Sequence, residues 1–209
     1  MSLTNPYGDF ELADPQAMRA LAHPVRLAIL ERLQRHGPAT ATQLSPHVGA
    51  TPSVTSWHLR HLATFGLVED WEGGDDRRLR WWKAARRGFR ISPALDDPAG
   101  QAAARLLGQQ MFLRYHDLPQ EWLERDEPHL EPEWRQESGL ANTGVTITLD
   151  ELRQVEADIE NVLAPYVQRG AEGAPPGARG VRMMRYVMPE AEQPPAATAE
   201  ESDEGGRDS

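Results

Sequence analysis

Between Asp14 and Gly66 the chain carries helix-start and helix-stop residues at such short intervals that only short helices fit there. Asp14 followed by Pro15 reads as an N-cap with proline at the first helical position, opening a helix to about Ala22. His23 and Pro24 restart the chain into a second helix carrying Val25, Leu27, Ile29, Leu30 and Leu33, which Gly37 and Pro38 stop. Thr40 and Gln43 have the spacing of a capping box, so a third helix follows with Leu44 and Val48 inward and Gly49 as its stop. Thr51 and Pro52 cap a fourth helix over residues 52–65, ending at Gly66. Two short helices joined by Gly49, Ala50 and Thr51 have helix-turn-helix spacing.

The next segment extends the pattern. Residues 67–71 and 77–83 are strand-like runs around the turn-rich tip Glu72-Gly73-Gly74-Asp75-Asp76, so a β-hairpin is expected directly after the fourth helix. A hairpin in that place is a wing. Residues 14–91 therefore read as a winged helix-turn-helix domain within an α+β, mostly helical chain.

At about 100° per residue, Ser56, Trp57, Arg60 and Thr64 share one side of the fourth helix, while Val54, His58, Leu62 and Phe65 share the other. The second side is expected to dock on the core. The first offers groups that reach bases and phosphates: arginine can bond guanine in bidentate fashion, and hydroxyls serve either target. Candidate DNA-binding residues are Thr51, Ser53, Ser56, Trp57 and Arg60 on this helix, with Arg77, Arg78 and Arg80 on the wing. Arg60 is the leading base reader, with a phosphate contact or a solvated surface position as its alternatives. Trp57 has two readings, packing on a thymine methyl or a sugar, and folding back onto Trp81 or Trp82. His58 and His61 form a His-x-x-His pair, but one lies on the core side and no carboxylate adjoins them in that helix, so a metal site is not expected.

Charge supports the same placement. The whole chain has a formal charge of −10, yet residues 18–90 hold twelve basic and six acidic side chains, whereas residues 96–209 hold ten basic and twenty-three acidic. Six cations fall between Arg77 and Arg87, a run suited to phosphates or a narrow minor groove, or to a solvated hairpin edge. A cationic module beside an anionic remainder can hold a polyanion on one face.

The stretches Ala20-Leu-Ala-His-Pro-Val-Arg-Leu-Ala-Ile-Leu30 and Thr51-Pro-Ser-Val-Thr-Ser-Trp-His-Leu-Arg-His-Leu62, followed by Gly66-Leu-Val68, resemble the bacterial ArsR-type winged helix-turn-helix regulators with an added C-terminal region. The resemblance covers about residues 14–90. It implies a homodimer binding double-stranded DNA at a palindromic operator, with the fourth helix in the major groove, and repression relieved or modified by a signal. Members that sense arsenic, cadmium or lead use cysteines near the third helix, and this chain has none. A last-helix zinc site is also poorly matched, because Pro119 interrupts the phase of His116, Asp117, Glu121 and Glu124. No metal and no cofactor is therefore expected.

Residues 97–188 read as a helical dimerisation and effector region. Asp97 and Pro98 open a helix with the stripe Ala104, Leu107, Met111, Tyr115, Leu118 and Trp122, widened by Leu106 and Leu113 and kinked or split at Pro119. The stripe serves a dimer interface, the chain's own core, or both. Residues 145–149 alternate like a strand, Thr148 and Glu151 form a capping box, Leu152, Val155, Ile159, Val162 and Leu163 mark a helix, and residues 181–188 look like a second strand. Together these predict a small β-α-β element. Met183, Met184, Tyr186 and Met188 could line an apolar pocket for a small-molecule effector, or simply pack the strand onto the helix. Residues 170–180 are a Gly/Pro-rich loop, and residues 189–209, lacking large apolar side chains, are expected to be a disordered acidic tail.

The absence of cysteine excludes disulfides, thiolate metal sites and cysteine nucleophiles. No membrane span or secretory signal is legible, which predicts a soluble, cytoplasmic protein. Scattered groups such as His116 and Glu121 show no nucleophile–base spacing, so an enzyme is not expected. The alternative function is a winged-helix protein-interaction module anchored by Trp57, Trp81 and Trp82.

Overall fold

The computed structural model describes residues 9–74, 78–169 and 173–191. The chain divides into two units, residues 1–170 and residues 171–209. The first is α+β and mostly helical, in the order β1 (Phe10–Leu12), α1 (Pro15–Leu21), α2 (Pro24–His36), β2 (Ala39–Thr40), α3 (Ala41–Val48), α4 (Pro52–Ala63), β3 (Val68–Trp71), β4 (Trp81–Ala84), β5 (Phe89–Ile91), α5 (Pro98–Tyr115), α6 (Leu118–Arg125), a 3-10 turn (Glu127–His129), α7 (Pro132–Gln136) and α8 (Leu149–Arg169).

The helix starts follow from local chemistry. The Asp14 carboxylate accepts from the Gln16 amide at 2.8 Å, the Asp97 carboxylate accepts from Ala99 at 3.0 Å, and each is followed by a proline that fixes φ for the first turn. Thr40 and Gln43 close their capping box, each backbone amide donating to the other's side-chain oxygen at 2.8 and 3.2 Å. Gly49 stops α3 in the left-handed region at φ 65°, where a side chain would be strained, and Gly66 turns the chain after α4 at φ 66°. Pro119 falls in the first turn of a new helix, so the long C-terminal helix is split there as its sequence requires.

One core joins these elements. Met18 and Leu21 of α1, Leu27, Ile29, Leu30 and Leu33 of α2, Leu44 of α3, Leu59 and Leu62 of α4, Val68 and Trp82 of the hairpin, and Ala103 and Leu107 of α5 are all buried together. Each large side chain so placed contributes about 1.5–3 kcal/mol relative to exposure. The hairpin β3–β4 is antiparallel with Trp71 opposite Trp81, and β2 adds a third strand by pairing Ala39 with Trp82 and Thr40 with Trp81. The expected second strand from Arg77 starts only at Trp81; residues 78 and 79 form turn and bend, and residues 75–77 lie outside the described residues.

Two features were not expected. Strand β1 pairs in parallel with β5, Phe10 opposite Phe89 and Leu12 opposite Ile91, tying residues 10–12 to the segment that follows the wing. From α8, the buried Glu160 accepts from Arg90 of β5 at 2.5 Å, and Arg90 also faces the Asp9 carboxylate at 3.9 Å.

The predicted β-α-β element is corrected: its helix forms as α8, but neither flanking strand does among the described residues. Residues 145–148 join no strand ladder, and Thr148 instead closes the capping box with Glu151, whose amide donates to the Thr148 hydroxyl at 3.2 Å. A single strand leaves its backbone groups unpaired, so alternation alone does not make a sheet. In the second unit, residues 173–191 contain no helix or strand, and of the four residues expected to line an apolar effector pocket Met183, Tyr186 and Met188 are exposed. Residues 192–209, most of the expected acidic tail, lie outside the described residues.

Candidate nucleic-acid interface

The helix-turn-helix is built from α3 and α4. The Thr51 hydroxyl caps α4 by accepting from the Val54 amide at 3.4 Å, and Pro52 begins the first turn. Thr55, His58, Leu59 and Leu62 face the core. Val54, expected among them, is 45% exposed, and Thr55 takes the inward place. The inner face is rotated by one residue at the helix start. Thr64 is the C-cap of α4, its amide still donating to the Arg60 carbonyl at 3.2 Å, while Phe65 follows the helix and is only partly buried.

The opposite face is the predicted one. Thr51, Ser53, Trp57 and Arg60 are exposed and Ser56 is half-buried. Trp57 is 53% exposed, and its indole stacks on the His61 imidazole, with ring centres 5.5 Å apart and planes within 4°. It also meets the edge of His58 at 4.9 Å. Its neighbours are thus on its own helix, while Trp81 pairs with Trp71 at 5.7 Å. Sequence reasoning placed His61 on the flank and missed its role as the support for Trp57; the i, i+4 spacing is the signal that could have found it. Arg60 has no ion-pair partner among the described residues.

The inner face carries its own chemistry. The His58 ring lies 4.8 Å from His23, whose Nδ1 accepts from the Val25 amide and so caps α2. Burial, then the charges of His23, Arg26 and His61, hold His58 below the usual imidazole range. Burial and Arg26 do the same to His23 and His61. The His23–His58 ring contact joins the start of α2 to the inner face of α4.

The wing's cations are less free than their number suggests. The Arg80 guanidinium donates to both Asp70 oxygens at 2.6 and 2.9 Å and stacks over Trp82 at 4.1 Å. These bonds hold Asp70 below the ordinary carboxylate range and raise Arg80. Lys83 pairs with its cross-strand neighbour Glu69 at 3.0 Å, and Arg87 with Asp9 at 3.4 Å. Arg78 and Arg86 are exposed, while Arg77 lies outside the described residues. At the tip, a side chain on Gly73 or Gly74 would overlap the indole of Trp71 or Trp81, so both rings lie directly over the turn backbone.

Beyond the hairpin, α5 turns two apolar sides outward from its axis. Ala103 and Leu107 enter the core, with Ala104 and Met111 packed against it, whereas Leu106, Phe112 and Leu113 are exposed. Arg114 ties the helix to Glu31 of α2 at 2.7 Å. Near Pro119 the His116 ring meets the Asp117 carboxylate at 3.1 Å, but among the described residues no group of three or more His, Asp or Glu could hold a metal ion. No helix among them is long and apolar enough to cross a membrane.

Residues 21–70 match the helix-turn-helix domain family, so the fold of the candidate interface and its sequence agree. Comparison with curated protein sequences returns no match. Among solved structures the chain is similar to YusO from Bacillus subtilis, at 15% identity over 72% of this chain and 83% of that one, with a TM-score of 0.31. It is also similar to a MepR-like protein complexed with pseudoligands, at 18% identity over 71% and 82%, again with a TM-score of 0.31. Such a score lies too low to establish a shared architecture.

Proposed function

We propose that the protein is an ArsR-like, sequence-specific DNA-binding transcriptional regulator that acts as a homodimeric repressor on a palindromic operator. The observation that carries this reading is the exposed α4 face: Thr51, Ser53, Ser56, Trp57 and Arg60 side by side on a capped helix whose other side is locked into the core. In this reading α4 enters the major groove, Arg60 reads a base edge, and the capping and flanking hydroxyls at Thr51 and Ser53 meet phosphates. Trp57 presents its stacked ring to a thymine methyl or a sugar. Arg77 and Arg78 contact the backbone or minor groove, and Arg80 shapes the wing through Asp70 and Trp82 more than it supplies charge.

The exposed Leu106, Phe112 and Leu113 on α5 support pairing of two copies, which would set the half-site spacing. The domains divide function accordingly, residues 14–91 for DNA, residues 97–188 for pairing and signal reception, and residues 189–209 as a tail. The test is fluorescence anisotropy with a selected duplex across a salt series. Binding should weaken as salt rises, and Arg60→Ala should lower affinity while relaxing base preference at one position. Unchanged binding in Arg60→Ala would remove α4 as the reader.

A further inference from the structure

A cavity of about 340 Å³ opens between the last turn of α2 and α3, lined by Arg32, His36, Gly37, Pro38, Ala39, Gln43, Leu44 and His47. Its volume falls at the lower end of small-ligand sites. Its walls carry one guanidinium, two imidazoles and an amide, and no carboxylate. Arg32 forms no ion pair among the described residues, and its Nη1 is buried without an acceptor. Gln43 gives its carbonyl oxygen to the Thr40 cap, so the amide group that remains can only donate. Side-chain donors thus outnumber side-chain acceptors around a space that none of the described residues fills.

We infer that this cavity is a binding site for a small oxyanion of the phosphate type, held by Arg32, His36, His47 and the Gln43 amide. A guanidinium and imidazoles converging without a carboxylate are stabilised by a ligand that brings negative charge and acceptor oxygens. The crowding is already felt: burial, then Arg32, Arg35 and His47, hold His36 below the usual imidazole range, with Glu31 opposing them. The site is also placed to matter. Ala39 in its wall pairs with Trp82 of the wing, and Leu44 in its wall is in the core beside α4's leucines. An anion bound here would bias both α3 and the base of the hairpin. That regulatory consequence rests on the DNA-binding reading, whereas the binding itself does not.

The same oxygens could come from a free anion or from a DNA backbone, and one experiment separates them. Full-length protein labelled at histidine is titrated with inorganic phosphate at constant ionic strength, following the His36 and His47 ring resonances by NMR, and in a second series with a short duplex. Saturable shifts of both rings with phosphate, weakened roughly tenfold in Arg32→Gln and in the more exposed His47→Gln, are expected for a free-anion site. Shifts with duplex alone assign the oxyanion to the DNA backbone. Shifts with neither probe, or no more than sodium chloride produces, overturn the site. A duplex that fails to bind at all counts against the proposed function and leaves the phosphate result standing.

Discussion

The imidazoles of His23 and His58 lie 4.8 Å apart, one capping α2 and the other on the buried side of α4, so a single ring contact joins the start of the core helix to the helix that carries the interface. Arg26 and His61 add charge to the same place. Protonating either ring puts a second cation beside Arg26, and on His23 it also removes the acceptor of the Val25 amide.

Stability should therefore fall in mild acid. The unfolded chain takes up protons on these histidines near the ordinary value of about 6.5, while burial and neighbouring cations lower them in the fold. The unfolded state then binds more protons, so stability is full above about pH 6.5 and declines as the pH drops through the folded-state values. Melting temperatures measured from about pH 8 to about pH 5 should fall, and less steeply in His58→Gln. An equally steep fall in that variant would place the proton uptake elsewhere.

The arginines of α4 and of the wing should not be equivalent. Replacing Arg60 with alanine is expected to cost about 1–3 kcal/mol of binding and to relax specificity at one base pair. Arg80→Ala should cost less directly, because Asp70 already neutralises its charge, and Asp70→Asn should strengthen non-specific binding by freeing it. Parallel salt titrations of the three variants decide this; equal losses for Arg60 and Arg80 would refute the ranking.

Gly74→Ala should displace the Trp81 indole from the hairpin tip. A shift in tryptophan fluorescence and several-fold weaker duplex binding, with little change in melting temperature, are the expected signs. An unchanged emission spectrum would mean the ring does not lie over the turn.

Glu160→Ala removes the Arg90–Glu160 ion pair that links α8 to β5. Because Arg90 is partly solvated, the expected loss is about 1–3 kcal/mol of unfolding free energy rather than that of a fully buried pair. Denaturant titration gives the value, and a loss near zero would show that α8 does not depend on this pair.

Leu113→Asp puts a charge on the exposed side of α5, away from the core residues Ala103 and Leu107. Sedimentation velocity should show a dimer for the parent chain and a monomer for the variant. A monomeric parent would remove α5 as a pairing surface.

The N-terminal domain was legible because its instructions are local. Asp14, Thr40, Thr51 and Asp97 each cap the helix their own neighbours form, and the capping-box spacing at Thr40 and Gln43 leaves the backbone little choice. What escaped is non-local. Phe10 finds Phe89, and Arg90 finds Glu160, across stretches of about seventy residues or more, where no periodicity connects the partners. The alternation of residues 145–149 misled for the converse reason: an extended pattern is local, but a strand needs a neighbour. Helical phase set the outward side of α4 correctly at Trp57 and Arg60 and slipped by one residue at Val54, where Thr55 takes the inward place. The loss of wing charge to Asp70, Glu69 and Asp9 could be read only once the hairpin register was known.

The central claim is that α4 reads a specific site as one half of a pair. Full-length protein mixed with sheared genomic DNA, with the retained fragments sequenced, tests it most directly. The account predicts an inverted repeat whose half-site centres lie about one helical turn, or a multiple of it, apart. Fragments retained without any shared sequence would contradict it.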